Sequence, residues 1–446
     1  MAHPNELDAL YALLVAAVVT ALLTPVTMRL ARTLGMIDQP RDRGLSERPT
    51  PLLGGLAIFA GVFVAVLVWL PAGYGREGGE LWHGVIIGAA VITLVGALDD
   101  RFDLPPLLKL AGQVLAAVIV VHFGVAVKAI TLPFVGHLAF PNAGVTNAGP
   151  VLTVIGLVAM MNVVNFSDGV DGLAAGVCAI IAAAMAVIAF DLGRQQPGVF
   201  AAITAGAALG FLIYNFPPAS SFMGDAGANL LGLLMGVTAV EAAVKTAAVV
   251  SFVLPLILLA VPFMDTTFVV LKRLKYKQPM YRPDSEHFHH RMARIGFSSR
   301  RTIAYLYAWT LLLAGLALAL RFIPYSDHKG HLHTGWTLVM VGLGLLVVAA
   351  SVYLVYVLEI LKFRRLDTMR LRRLRPEASP AEIETGVVRD LETGEIDAVS
   401  AGRGDHVPVR ALGTEQGIGQ RQVDEDRVGT EHERGGPQAP VAADRG

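Results

Sequence analysis

The sequence predicts an all-α protein that crosses a membrane about eleven times. Three observations lead there. Hydrophobic residues make up 54% of the 446-residue chain and charged residues only 16%, which excludes an ordinary water-soluble enzyme. Apolar runs of spanning or near-spanning length recur from Leu7 to Leu361. Lysine and arginine gather in alternate loops instead of spreading evenly. The formal net charge is +0, so overall charge says nothing about partners, and no nucleic-acid partner is expected.

The runs, in order, are 7–30, 53–70, 85–98, 107–123, 151–164, 173–190, 199–214, 230–244, 247–271, 303–322 and 337–361. The first has no basic residue before it and no convincing cleavage site, so it reads as a retained helix, not a removed signal peptide. Several fall short of the ~20 residues usual for a span. Short helices that end in polar clusters predict a crevice open to one side of the bilayer. The only cysteine, Cys178, sits inside an apolar run, so there is no disulfide framework and no cysteine metal site.

Orientation follows from the basic residues. One set of loops holds Arg41, Arg43 and Arg48, then Arg101, then a long loop from Lys272 to Arg301. Seven Lys and Arg residues between Lys362 and Arg375 follow the last run. These loops are expected in the cytoplasm, which puts the N-terminus outside and the C-terminus inside. The acidic and amide clusters fall on that same side: Asp38, Asp99 with Asp100, the stretch from Asn162 to Asp171, Asp225 and the segment around His287. Asp265 lies about two turns from the cytoplasmic end of its run and reads equally as a crevice or a structural carboxylate. The chain thus divides into a transmembrane catalytic domain, 1–361, and a cytoplasmic segment, 362–446. The latter begins with a basic juxtamembrane stretch suited to anionic headgroups and ends in a disordered tail.

The chain is organised around Asn162-Val163-Val164-Asn165-Phe166-Ser167-Asp168-Gly169-Val170-Asp171-Gly172. Two amides, two carboxylates and two glycines are set between apolar runs, where ionisable groups are costly. Asp99 and Asp100 are adjacent carboxylates at a helix end, and such neighbours repel unless one is protonated or a cation intervenes. Ser221-Phe222-Met223-Gly224-Asp225-Ala226-Gly227 has the form of a metal-ligand loop, with glycines that let the backbone approach a ligand. Lys109 starts the next run and can reach a phosphate at the interface. His287-Phe288-His289-His290-Arg291 suits a diphosphate or metal or proton chemistry. Oxygen-rich, water-accessible carboxylates without cysteine suit Mg²⁺ or Mn²⁺. Together these groups imply phosphoryl chemistry with one substrate held in the bilayer.

At these motifs the chain resembles the polyprenyl-phosphate N-acetylhexosamine-1-phosphate transferase family, which includes the phospho-MurNAc-pentapeptide translocases. The matching stretches are Asp38-Gln39-Pro40 with Arg48-Pro49-Thr50-Pro51-Leu52-Leu53-Gly54-Gly55, Leu98-Asp99-Asp100 with Lys109, the stretch from Asn162 to Ala174, Phe222 to Gly227, and His287 to Arg291. The resemblance implies transfer of a sugar-1-phosphate from a UDP-N-acetylhexosamine to a membrane polyprenyl phosphate, with UMP released. It implies that Asp225 binds Mg²⁺, with Asp99 as a second ligand, as a base, or as the group that positions the lipid phosphate, and Asp100 beside it. Asp168, Asp171, Asn162 and Asn165 would form the nucleotide and metal-adjacent loop. His287, His289, His290, Arg291, Arg48 and Lys109 would contact substrate phosphates. A bacterial plasma membrane with a cytoplasmic active site is the implied setting, and a homodimer is compatible with it.

Phe288 interrupting the histidines, and Arg291 after them, resemble the branch that uses UDP-N-acetylglucosamine, in the first membrane step of a cell-wall or surface polymer. The phospho-MurNAc-pentapeptide translocase is the alternative within the class. Ala228 stands where serine is common and Leu53 where arginine or methionine is, but neither removes a proposed ligand. A membrane transporter is the alternative of another class. It would place acidic sites deep in the bilayer and often show repeat symmetry, whereas here the clusters gather at one face.

Overall fold

A computed structural model of the chain describes residues 4–39, 49–70, 78–132, 136–140, 148–243, 299–324 and 333–357. These form ten helices: α1 (Glu6–Leu34), α2 (Gly54–Trp69), α3 (Gly78–Phe102), α4 (Pro106–His122), α5 (Ala148–Ser167), α6 (Leu173–Asp191), α7 (Gln195–Asn215), α8 (Gly224–Ala243), α9 (Ser299–Phe322) and α10 (Thr334–Val357). Seven of them are long and apolar enough to cross a membrane, and α2 and α4 are shorter apolar helices. Ten of the eleven apolar runs therefore coincide with helices. The run 247–271 lies outside the described residues, as does 362–446.

The packing inverts the pattern of a water-soluble bundle. The buried stripe of α1 is Ala9, Ala12, Ala16, Thr20, Thr24, Thr27 and Ala31, while Leu7, Leu10, Leu14, Val18, Leu22 and Val26 face outward. Small residues inside let helix backbones approach, and large apolar ones outside meet lipid. On α7, Gly206 and Gly210 lie against the backbone carbonyls of Leu13 and Ala17, with no room for a side chain. At the centre is α8, buried without a break over 226–238 and surrounded by α2, α3, α5, α6 and α7. A helix that is apolar all round belongs in such a core. By contrast α10 is peripheral, with Leu338, Leu345 and Val348 outward.

Two small antiparallel hairpins accompany the helices. β1 (Ile37–Asp38) pairs with β2 (Thr50–Pro51), Ile37 opposite Pro51, and β3 (Ala129–Leu132) pairs with β4 (Gly136–Ala139). The first pair has a structural task. The carbonyl of Pro51 accepts from Phe222 N–H (3.0 Å), and the N–H groups of Gly54 and Gly55 donate to Phe222 and Met223 (both 3.0 Å). The start of α2 is thus stitched to the segment leading into α8.

Helix boundaries differ from the apolar runs in one systematic way. α3 continues through Asp99 and Asp100, and α8 begins at Gly224, so that Asp225 lies in a helical first turn and not in a loop. A charged side chain ends an apolar run, but it does not interrupt backbone hydrogen bonding.

Candidate active site

Consecutive helices run in opposite directions, so the end of α3, the start of α4, the end of α5 and the start of α8 meet at one end of the bundle. Each brings one polar side chain. The Lys109 ammonium lies 2.6 Å from Asp225 Oδ2 and 2.9 Å from Asp99 Oδ2. Asn165 Nδ2 donates to the other oxygen of Asp225. Asp99 Oδ1 accepts from Leu104 N–H (2.8 Å), which fixes the turn between α3 and α4. Lys109 and Asp225 side chains remain 23% and 28% exposed, and Asp99 only 7%. A ligand can therefore reach the first two directly.

Asp100 points elsewhere. Its carboxylate accepts from the backbone N–H of Asp225 (2.8 Å) and of Ala226 (3.3 Å), capping α8 from a neighbouring helix. A carboxylate there satisfies orphan donors and favours the positive end of the helix dipole. Two glycines make room for it. Gly224 has φ +66°, and a Cβ on it would strike the Asp100 carboxylate. Gly96, one turn before Asp100, lies against the backbone of Asp225 and Ala226.

The loop 168–172 sits beside this cluster. Asp168 is half-buried, and among the described residues no side chain or backbone group bonds its carboxylate. Burial first, then the charges of Asp225, Asp100 and Asp171, push its pKa up to about 8. Asp171 is turned away and accepts from Ala219 N–H (2.9 Å); burial also raises its pKa, against that hydrogen bond. Asn215 clamps the same loop, accepting from Gly172 N–H (2.9 Å) and donating to the Ser221 carbonyl (3.0 Å). From α9, the Tyr307 hydroxyl donates to the Gly172 carbonyl (2.5 Å) and Arg300 Nε to the Pro217 carbonyl (3.2 Å).

Asn162 lies one turn deeper than Asn165. Its Nδ2 donates to Gln113 Oε1 and to the Val158 carbonyl, both at 2.8 Å. Gln113 Nε2 donates to Asn229 Oδ1 (2.8 Å), and Asn229 Nδ2 to the Asp225 carbonyl (2.8 Å). The structure therefore gathers Asp99, Lys109, Asn165 and Asp225, sets Asp168 beside them, and gives Asp100, Asp171 and Asn162 to the supporting frame. Arg48, Asp265, His287, His289, His290 and Arg291 lie outside the described residues. Sequence reasoning missed Gln113, Asn229, Asn215 and Tyr307. For the first two a signal existed: each is an amide in an apolar helix, four residues after Lys109 or Asp225.

Among the described residues no three His, Cys, Asp or Glu side chains converge as metal ligands. The donor set does fit a hard cation. Two carboxylates already close on one positive charge, that of Lys109, and one or two carboxylates are what Mg²⁺ uses when substrate phosphates supply further ligands.

Residues 82–243, which contain all of this cluster, match the model of glycosyl transferase family 4. A probable undecaprenyl-phosphate N-acetylglucosaminyl 1-phosphate transferase of Bacillus subtilis is 33% identical over 316 residues, covering 70% of this chain and 84% of the relative. The chain belongs to glycosyl transferase family 4. Another family member, the decaprenyl-phosphate N-acetylglucosaminephosphotransferase of Mycobacterium tuberculosis (strain H37Rv), is 35% identical over 338 residues, 70% of this chain and 82% of the relative. The phospho-N-acetylmuramoyl-pentapeptide-transferase of Moorella thermoacetica is 32% identical over 336 residues, 70% of this chain and 99% of the relative.

Proposed function

We propose that the protein transfers N-acetylglucosamine-1-phosphate from UDP-N-acetylglucosamine to a membrane polyprenyl phosphate, forming polyprenyl-diphosphate-N-acetylglucosamine and UMP. The observation that carries this reading is the Lys109 ammonium held between Asp99 and Asp225 at one end of an apolar bundle. Two carboxylates face one ammonium there, which leaves room for a metal cation where a lipid-borne phosphate can meet a soluble one. The names of the Bacillus and Mycobacterium relatives support the N-acetylglucosamine donor and the polyprenyl acceptor. The interrupted His287–Arg291 segment supports the same branch.

Both substrates are anionic, so the first requirement is charge neutralisation and alignment. Asp225 and Asp99 would hold Mg²⁺, which when bound neutralises phosphate charge and stabilises the transferring phosphoryl group. Lys109 offers its ammonium to the acceptor phosphate at the membrane surface, and Asn165 and Asp100 hold Asp225 in place from its side chain and its backbone. The 168–172 loop, with Asp168 toward the cluster, receives the nucleotide side. His287, His289, His290, Arg291 and Arg48 add contacts to the diphosphate. Transfer is a direct in-line displacement. An oxygen of the polyprenyl phosphate attacks the sugar-bearing phosphorus, the bond to the bridging oxygen breaks, and UMP leaves with the electron pair.

We place the protein in a bacterial plasma membrane with about eleven spans, the N-terminus outside, and the site and C-terminus in the cytoplasm. The distribution of Lys and Arg supports that orientation. The test is UMP release by purified protein with polyprenyl phosphate and Mg²⁺, comparing UDP-N-acetylglucosamine with UDP-MurNAc-pentapeptide. Turnover with the first donor, abolished by chelation and reduced at least about 100-fold in Asp225→Asn, is expected. Turnover with the second donor alone would move the protein to the reaction of the Moorella relative. Metal-independent turnover would refute the Mg²⁺ assignment.

A further inference from the structure

Three helices each carry two polar side chains one turn apart, and the two sets meet in two separate layers. The outer layer is Lys109 on α4, Asp225 on α8 and Asn165 on α5. The inner layer is Gln113, Asn229 and Asn162 on the same three helices. Gln113 and Asn229 are each 1% exposed. The hydrogen bonds of the inner layer run in one direction. Asn229 donates to the Asp225 carbonyl, Gln113 donates to Asn229, and Asn162 donates to Gln113. Because a backbone carbonyl can only accept, the orientation of Asn229 follows from its Asp225 bond, and that orientation sets the other two amides in turn.

A chain of amides is a poor way to hold apolar helices together. Burying polar groups is costly unless every one is satisfied, and an apolar core of the same shape does as well or better. What amides add is register. Contacts between small apolar side chains tolerate a slide or a rotation of one helix on another, whereas these bonds close in one alignment only. That alignment is the one that puts the Lys109 ammonium against Asp225, one turn toward the surface.

We infer that Gln113 and Asn229 are positioning residues: through the hydrogen-bonded Asn162–Gln113–Asn229 layer they set the register in which Lys109, Asp225 and Asn165 meet. The geometric claim stands on the packing of α4, α5 and α8. Its catalytic consequence rests on the transferase reading above.

Two measurements test the two parts separately, on the full-length protein in detergent or nanodiscs. The first does not use activity. Lysine side chains are modified under limiting amine-reactive reagent and quantified by mass spectrometry, in the wild type, Gln113→Leu, Asn229→Leu and the double variant. Lys109, held between two carboxylates, should react slowly in the wild type and at least about fivefold faster in each variant. Lys128, exposed in the segment that follows the far end of α4, should not change. An unchanged Lys109 rate in all variants overturns the inference, and so does an equal rise at Lys128, which would mean general loosening. The second measurement is steady-state kinetics per folded protein. Each single variant should lose kcat by at least tenfold with donor KM within about threefold, and the double should be no worse than the poorer single. A merely structural role would lower Tm and leave kcat intact. If the wild type turns over no donor, the transferase reading fails, and the labelling result still decides the register claim.

Discussion

Replacing Gly96 with alanine adds one methyl group and should disable the site without touching any polar residue in it. A Cβ at position 96 would lie 2.6 Å from the carbonyl carbon of Asp225, and closer still to Ala226 N and Cα. All three are backbone atoms, so no rotamer change relieves the clash. Restoring ordinary van der Waals contact at about 3.4 Å from the nearest of them, at 2.4 Å, requires α3 and α8 to part by about 1.0 Å. The same displacement stretches the 2.8 Å bond from Asp225 N–H to Asp100 to about 3.8 Å, past useful hydrogen-bonding distance. Overpacking of this kind costs about 1–3 kcal/mol of stability. The larger effect falls on activity, because Asp99 and Asp225 approach Lys109 from the two helices being pushed apart. A misplacement near 1 Å corresponds to roughly 100-fold in rate. UMP release per folded protein is the assay, with Gly156→Ala as control. Gly156 is exposed on α5 with open space where its Cβ would sit, so alanine there should leave activity unchanged and add about 0.5–1 kcal/mol of stability. If Gly96→Ala turned over within twofold of the wild type, the claim that the α3–α8 approach sets the site would be wrong.

Three other perturbations probe different parts of the site. Lys109→Met removes a tethered cation from Asp99 and Asp225, so Mn²⁺ binding followed by electron paramagnetic resonance should tighten on the order of tenfold, or ~1.4 kcal/mol, while turnover falls; weaker Mn²⁺ binding would remove these carboxylates from the metal assignment. Asp168 has a raised folded-state pKa, about 8 against 3.8 for the free group, so its contribution to stability is full below the lower value and is lost as pH rises through the higher one. In chelator, melting temperature should therefore fall from pH 5 to pH 8, with a shallower slope in Asp168→Asn; identical slopes would contradict the desolvation and neighbouring negative charge described for this carboxyl. Tyr307→Phe deletes the bond to the Gly172 carbonyl, which should cost about 1 kcal/mol of stability and raise donor KM more than it lowers kcat; an unchanged KM would detach Tyr307 from the nucleotide loop.

The architecture was largely legible in the chain. Backbone groups in a bilayer must be satisfied within their own segment, so an apolar run of sufficient length has little choice but to be a helix. Ten of the eleven runs became helices for that reason. Their ends were less legible, because hydropathy registers side chains while helices are closed by backbone bonds. That is why Asp225 reads as part of a glycine loop in the sequence and occupies the first turn of α8 in the fold.

Of the site, the residue types were determined by the sequence alone: carboxylates, amides and a lysine confined to one end of otherwise apolar helices have few structural uses. Their partnerships were decided only by tertiary structure. Asp99 and Asp100 are adjacent in sequence, yet a helix sends neighbouring side chains about 100° apart, and one meets Lys109 while the other caps α8. Asn162 and Asn165 belong to one motif, yet one turn of helix separates them into different layers. Gln113 and Asn229 carry no motif at all. Each acquires its role when α4, α5 and α8 pack together and these two buried amides bond each other and Asn162.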